Sequence, residues 1–332
     1  SEVLSVGYSG DGTLNVESGG VVTSVGGYIA YAFDSTGEVT VSGSGSQWNN
    51  SGWLTVTSGA LNVTDGGVVS SVGSFIGVHS GSTGEVTVTG SNSQWNNTDA
   101  LSLAVSGSGT LNVTDGGVVN NTSASIGDGS GVTGVATING AGSQWNNSSN
   151  LTGGSLGDGT LNVEAGAVVV NEYANLGLYT GATGVVTVTG TGSEWNNSES
   201  MQVGIEGAGT LNITDGGVVS NPTGFIAMMS GSTGDVTVTG SNSQWTNTDG
   251  LTVGDNGDGA LNVTDGGVVN NTEGSIGAES GATGVATISG AGSQWNNSEV
   301  LSVGYSGDGT LNVESGGMIA SSDGRIGYSS GS

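Results

Sequence analysis

"LSVGYSGDGTLNV" (Leu4–Val16) and "IAYAFDSTGEVTV" (Ile29–Val41) decide the fold when one is laid over the other. A 25-residue offset places Leu4 on Ile29, Gly12 on Gly37, Leu14 on Val39 and Val16 on Val41. The last two columns then continue along the whole chain. They read Leu14/Val16, Val39/Val41, Leu61/Val63, Val86/Val88, Leu111/Val113, Ala136/Ile138 and Leu161/Val163, then Val186/Val188, Leu211/Ile213, Val236/Val238, Leu261/Val263, Ala286/Ile288 and Leu311/Val313. An apolar residue at every second position is the pattern of a strand with one buried face. A self-similar unit of this length is the signature of a stacked repeat, and roughly 13 copies are visible.

A second strand carries Leu4/Val6, Ile29/Tyr31, Leu54/Val56 and Ile76/Val78, and so on to Leu301/Val303 and Ile326/Tyr328. Gly-rich corners such as "GYSGDG" separate it from the first and suit reversals that need positive φ. A third strand surrounds a motif that begins as "SQWNN" at Ser46 and returns at Ser93, Ser143, Ser193, Ser243 and Ser293 with small changes. Its tryptophans, Trp48, Trp95, Trp145, Trp195, Trp245 and Trp295, are separated by 47, 50, 50, 50 and 50 residues. The short step arises because "LTVTSGALNV" from Leu54 lacks three residues present in "LSVGYSGDGTLNV".

Read turn by turn, the third strand's apolar position runs Val22, Trp48, Val69, Trp95, Val119, Trp145, Val169, Trp195, Val219, Trp245, Val269, Trp295, Ile319. Large and small residues alternate, so neighbouring turns can interdigitate without overfilling a core. The tryptophans are therefore expected in the core or at corners; the competing reading is an exposed row for stacking on sugars. The expected architecture is all-β: a single-stranded parallel β-helix or β-solenoid with about 25 residues per turn, three short strands per turn and no helices. Thirteen stacked turns would rise on the order of 60 Å. Each turn buries five or six apolar side chains worth roughly 1.5–3 kcal/mol apiece against the ordering of some 25 residues, so stability must come from stacking.

Residues 1–332 read as one continuous array of units of about 50 residues, each two turns, cut within a repeat at both ends. Ser1–Gly20 recurs unchanged as Ser298–Gly317, an offset of 297, and other stretches recur at an offset of 150. Cut ends expose strand edges and apolar columns, which leads us to expect either a longer array or end-to-end self-stacking.

The chain has 28 Asp and Glu against a single basic residue, Arg325, for a net charge of −27. Neither a nucleic-acid backbone nor an anionic membrane surface would attract it. There is no Cys, so thiolate chemistry and disulfides are excluded. No apolar run reaches membrane-spanning length, and membrane insertion by this segment is not expected.

"GSTGEVTVTGSNSQWNN" (Gly81–Asn97) followed by "LSLAVSGSGTLNVTDGGVV" (Leu101–Val119) resembles the repeat of about 50 residues shared by bacterial autotransporter passengers and PEP-CTERM-type exported surface proteins. The resemblance covers essentially the whole chain through its G-S/A-T-G, S-x-W and G-T-L-N-V elements. It implies export, a β-helical stalk and an extracellular, cell-surface role that is often adhesive, with host-cell or matrix carbohydrate as a partner class. It names no ligand.

Catalysis is not expected. β-Helical enzymes that cleave acidic polysaccharides need cations to neutralise substrate carboxylates or a carboxylate cluster for acid and base work. Here there is no Lys, one Arg (Arg325) and one His (His79, in "FIGVHSGS"). No cofactor is expected either. The "GDGT" and "TDGG" segments, the latter with Asp65, Asp115, Asp215 and Asp265, lack the nine-residue pattern of calcium-binding β-rolls and read as turns, with adventitious calcium the alternative.

The outward face of the first-described strand carries a regular array that includes Thr87, Thr89, Asn112, Thr114, Thr187, Thr189, Asn212, Thr214, Thr237 and Thr239. Such a flat face could bind carbohydrate or order water on ice. It could equally be a structural ladder, since Thr favours strands and stacked Asn and Thr satisfy one another. The same patterning creates N-x-S/T triplets at Asn49, Asn96, Asn112, Asn146, Asn212 and Asn262, which permit glycosylation where a host performs it. The expected function is thus a non-enzymatic extracellular structural element: a stalk, an adhesin passenger segment or a filament-forming surface element. The alternative is a carbohydrate- or ice-binding module using the Asn/Thr face.

Overall fold

The computed structural model describes residues 2–328; Ser1 and residues 329–332, on which part of the reading of the ends rests, lie outside it. Every regular element among the described residues is a strand, and no helix is present among them. Each turn of about 25 residues contributes one strand to each of three parallel sheets, giving a β-solenoid of about 13 turns. The described residues gather into two compact units. The first ends at Leu161 and includes Gly166–Val170; the second comprises Asn162–Ala165 and the residues from Asn171 onward. Both are built alike.

One pair of turns in the first unit shows the construction. Thr36–Ser42, Gln47–Asn50 and Leu54–Val56 form one turn; Gly59–Thr64, Val68–Ser71 and Ser74–Ile76 form the next. Strands pair only with their equivalents in adjacent turns, so Val39 meets Leu61, Trp48 meets Val69, and Val56 meets Ile76. In the second unit Val186 meets Leu211, Trp195 meets Val219, and Val203 meets Ile226. Away from the first and last turns the inward residues of all three sheets are buried, and the six motif tryptophans are 0% exposed.

The corners follow from backbone chemistry. In Thr64–Asp65–Gly66–Gly67, both central residues have positive φ (54° and 86°), and Gly67 N–H donates to Thr64 O at 2.9 Å. This is the pattern of a type I′ turn, for which Asp-Gly is a favoured pair. The corner recurs at Asp115–Gly116, Asp215–Gly216 and Asp265–Gly266, so the four aspartates are turn residues.

The Leu4–Val6 sheet departs from the expected register. Val6, not Leu4, pairs with Ile29, and Leu4 faces Gly27; Tyr31 falls outside the strand Gly27–Ile29. The physical reason is volume. Leu54 pairs with Gly27 and Ser74, Leu101 with Ser74 and Ala124, and Leu251 with Gly224. A Cβ added to Gly27 would lie 2.7 Å from Trp48 Cζ2 and 2.8 Å from Leu54 Cδ1. The turn that carries Trp also carries Leu, or Met201 in the turn of Trp195, and its neighbour carries Val or Ile with a small residue. Bulky turns thus alternate with slender ones, which keeps the interior close to crystal-like packing density.

Candidate functional site

Each letter of the S-x-W-x-N motif has a separate structural task. Ser93 is fully buried; its Oγ accepts from Gly66 N–H at 3.0 Å and donates to Thr89 O at 2.7 Å, clamping one corner to the next. Ser143 and Ser293 repeat both bonds. The indole fills the core. Its Nε1–H donates to a buried Asn of the preceding turn: Trp145 to Asn121 at 2.7 Å, Trp195 to Asn171 at 2.6 Å, Trp245 to Asn221 at 2.8 Å and Trp295 to Asn271 at 2.6 Å. The last Asn of the motif accepts in turn, with Asn171 Nδ2 donating to Asn197 Oδ1 at 2.6 Å and Asn271 Nδ2 to Asn297 Oδ1 at 2.6 Å.

This inward asparagine row escaped the sequence reading, which treated Asn as an outward residue. The available signal was the second Asn of "VVNN" and "QWNN", repeated in phase with Trp. Two turns deviate from the arrangement. Trp48 Nε1–H donates to Ser24 Oγ at 3.2 Å, and Ser24 donates to Asn50 Oδ1. In the other, Ser71 and Ser74 both donate to Asn97 Oδ1, at 2.7 and 2.6 Å, and Trp95 Nε1 is buried without a partner.

The Asn/Thr face is in register as a face must be: Thr87 beside Asn112, Thr89 beside Thr114, Thr187 beside Asn212, Asn212 beside Thr237 and Thr214 beside Thr239. All ten of these side chains are half-buried, less open than the sequence suggested, because each is flanked by its equivalents in adjacent turns. Much of the hydrogen-bonding capacity is used along the stack. Thr114 Oγ1 donates to Thr89 Oγ1 at 2.8 Å and Thr89 Oγ1 to Asp115 Oδ2 at 3.2 Å. Thr214, Thr189 and Asp215 form the same chain, as do Thr264, Thr239 and Asp265. Asn112 Nδ2 donates to Glu85 Oε1 at 3.1 Å. Beside these rows, Glu38, Ala60, Glu85 and Thr110 succeed one another in register, so the neighbouring row is chemically irregular.

The residues weighed for catalysis do not converge. His79 lies in the first unit, its ring stacked on Phe33 and its Nε2 3.1 Å from Tyr31 O. Arg325 lies in the second, paired with Asp323 at 2.8 Å and over the Tyr328 ring. Among the described residues no group of three or more His, Asp or Glu is placed to hold a metal ion. One carboxyl stands out: burial, then the nearby Glu279 carboxylate, push Asp255 above the usual carboxylate range, against an opposing hydrogen bond from Asn256.

No family model matches the sequence, and no curated protein does. A solved structure does resemble the fold: the TibC-catalysed, hyper-glycosylated TibA55–350 fragment, at 18% identity and a TM-score of 0.53, covering 96% of this chain and 100% of that one.

Proposed function

We propose that the chain is a non-enzymatic, extracellular structural element, serving as a stalk or adhesin passenger segment at a cell surface. The observation that carries the reading is where the repeated polar chemistry goes. Ser, Trp and Asn of the motif serve corners and a buried ladder, and Thr89 with Thr114, Thr189 with Thr214 and Thr239 with Thr264 bond each other along the stack. Such an array uses its repeated side chains to hold turn to turn, as a mechanical spacer does. The repeat's resemblance to autotransporter passengers and the fold shared with the TibA fragment support this placement.

Antibody labelling and protease shaving of intact source cells test it. Surface labelling lost on shaving is the expected result, and confinement to the cytosol would refute it. The non-enzymatic part fails if purified protein turns over acidic polysaccharides or esters and that turnover disappears in His79→Ala or Arg325→Ala.

A further inference from the structure

The repeat supplies its own standard, and several departures from that standard gather at one place in the first unit. The corner between Val56 and Gly59 is two residues, Thr57 and Ser58, where the corner between Leu103 and Gly109 has five. The shortened corner leaves a cleft of about 400 Å³ bounded by the loops of the turns on either side. That volume is within the range of small-molecule sites. On one side stands Phe33, where the equivalent turns carry Ser80, Ser130, Thr180, Ser230 and Ser280. Next to it is Asp34, at φ 62°, where Gly81, Gly131, Gly181, Gly231 and Gly281 take the same left-handed position without a side chain. On the other side stands His79, the chain's one histidine, whose ring stacks on Phe33 across the gap with centroids 5.6 Å apart.

The stack on His79 covers only part of Phe33, so burial does not account for it. Phe33 remains 72% exposed, and Asp34 accepts a conformation that Gly adopts with less strain. A large exposed aromatic kept at a cleft marks an interaction site more readily than a structural one. Beside the cleft, Tyr31 and Tyr8 stack at 5.1 Å and are themselves exposed, which extends the aromatic surface along the turns.

We infer that this cleft is a binding site for a neutral saccharide. The exposed part of the Phe33 ring, beside its stack on His79, suits the C–H face of a sugar, while the Asp34 carboxylate and the Ser58 and Ser80 hydroxyls at the rim suit its hydroxyl groups. An acidic sugar is disfavoured by Asp34 and by the chain's net charge of −27; the one arginine is in the other unit. A purely apolar ligand would leave the Ser, Thr and Asp lining unpaired. The inference goes beyond the stalk reading, and its failure leaves that reading standing.

The chain has three phenylalanines, so protein labelled with 4-fluorophenylalanine gives three ¹⁹F resonances, with Phe225 in the second unit as internal control. The probes are cellohexaose, maltoheptaose, mannohexaose and chitohexaose, with polygalacturonate as the acidic comparison. At about 10 mM even a millimolar site is mostly occupied. Saturable movement of the Phe33 resonance with at least one neutral oligosaccharide, with Phe225 still, is expected. Two variants then locate the site: Phe33→Ala, and replacement of Thr57–Ser58 by the Ala-Val-Ser-Gly-Ser corner that follows Leu103, which refills the cleft. Each should weaken binding at least about tenfold, followed in the alanine variant by isothermal titration calorimetry, while the Phe225 resonance reports an intact fold. No movement with any neutral probe, binding that survives both variants, or preference for polygalacturonate would overturn the inference.

Discussion

The turn around Trp95 offers a substitution that should stabilise the protein. Trp95 Nε1 is buried without a partner, because Ser71 and Ser74 occupy positions held elsewhere by an asparagine and an alanine or glycine. In the turns of Trp145 and Trp195 those positions are Asn121 with Ala124 and Asn171 with Ala174. The double variant Ser71→Asn/Ser74→Ala therefore reproduces an arrangement the same core already accommodates. It gives the indole an acceptor, and the new amide donates to Asn97 Oδ1 in place of the two hydroxyls. An unpaired buried donor costs about 1–3 kcal/mol and a hydrogen bond contributes about 1 kcal/mol net, so the expected gain is about 1–2 kcal/mol. Repeat arrays can unfold in stages, so the reading should be local. Hydrogen exchange at the Trp95 indole and at amides of Val68–Ser71 and Gln94–Asn97 should slow about five- to thirtyfold, the factor that such a gain implies. The Trp95 indole proton should move toward the resonances of Trp145, Trp195, Trp245 and Trp295. Unchanged or faster exchange would show that Trp95 N–H was not short of a partner and would refute the reasoning.

Trp195→Ala removes a fully buried indole and leaves Asn171 half-paired; a loss of about 3–5 kcal/mol is expected in urea unfolding, and a loss under 1 kcal/mol would mean that adjacent turns collapse into the gap. Gly274→Leu should destabilise by at least about 1–3 kcal/mol, since even its Cβ would lie 2.8 Å from Leu301 Cδ1; calorimetry showing no fall in melting temperature would contradict the bulky-slender packing. Thr189→Val breaks the bonds to Thr214 and Asp215 on a half-buried face, for an expected cost of about 0.5–1.5 kcal/mol; thermal hysteresis in the parent protein that vanishes in this variant would instead make the face ice-binding. Asp255 has a raised folded pKa, so its protonated form contributes stability that is complete below the unfolded value of about 3.9 and is lost as pH rises through the folded value. Asp255→Asn should accordingly stabilise the protein at pH 7 and match the parent near pH 3; an equal difference at both pH values would rule out ionisation as the cause.

How far the fold could be read depended on whether a core position was filled by an apolar side chain. The Leu14/Val16 columns and the Trp–Val alternation were legible because those residues differ from everything around them in volume and polarity. The register of the Leu4 sheet was not, because every second residue of its Leu4 column is small, as at Gly27, Ser74, Ala124 and Gly224, and an apolar pattern does not count these. The buried asparagines were missed for a related reason. Asn reads as a surface residue until a donor such as the Trp145 indole is seen to need it. The Thr rows were legible as rows, but not the hydroxyl chains that join them, which depend on Asp115 and Asp215 in the corners. The Phe33 cleft was hidden because it is a single exception in a sequence whose message is repetition; only the missing three residues before Leu61 hinted at it.

The alternation of bulky and slender turns also gives this array a parity rule for its own evolution. Excising one turn would set tryptophan against tryptophan and leucine against leucine in adjacent layers, and one extra slender turn would leave a void. Length can therefore change only in pairs of turns, and recombination between copies survives only when it slips by an even number. The internal duplications obey this: the 150-residue offset spans six turns, and the 297-residue offset spans twelve. The 50-residue unit is thus the smallest piece that can be copied or lost without disturbing its neighbours, and it is the module with which such an array could be lengthened by design.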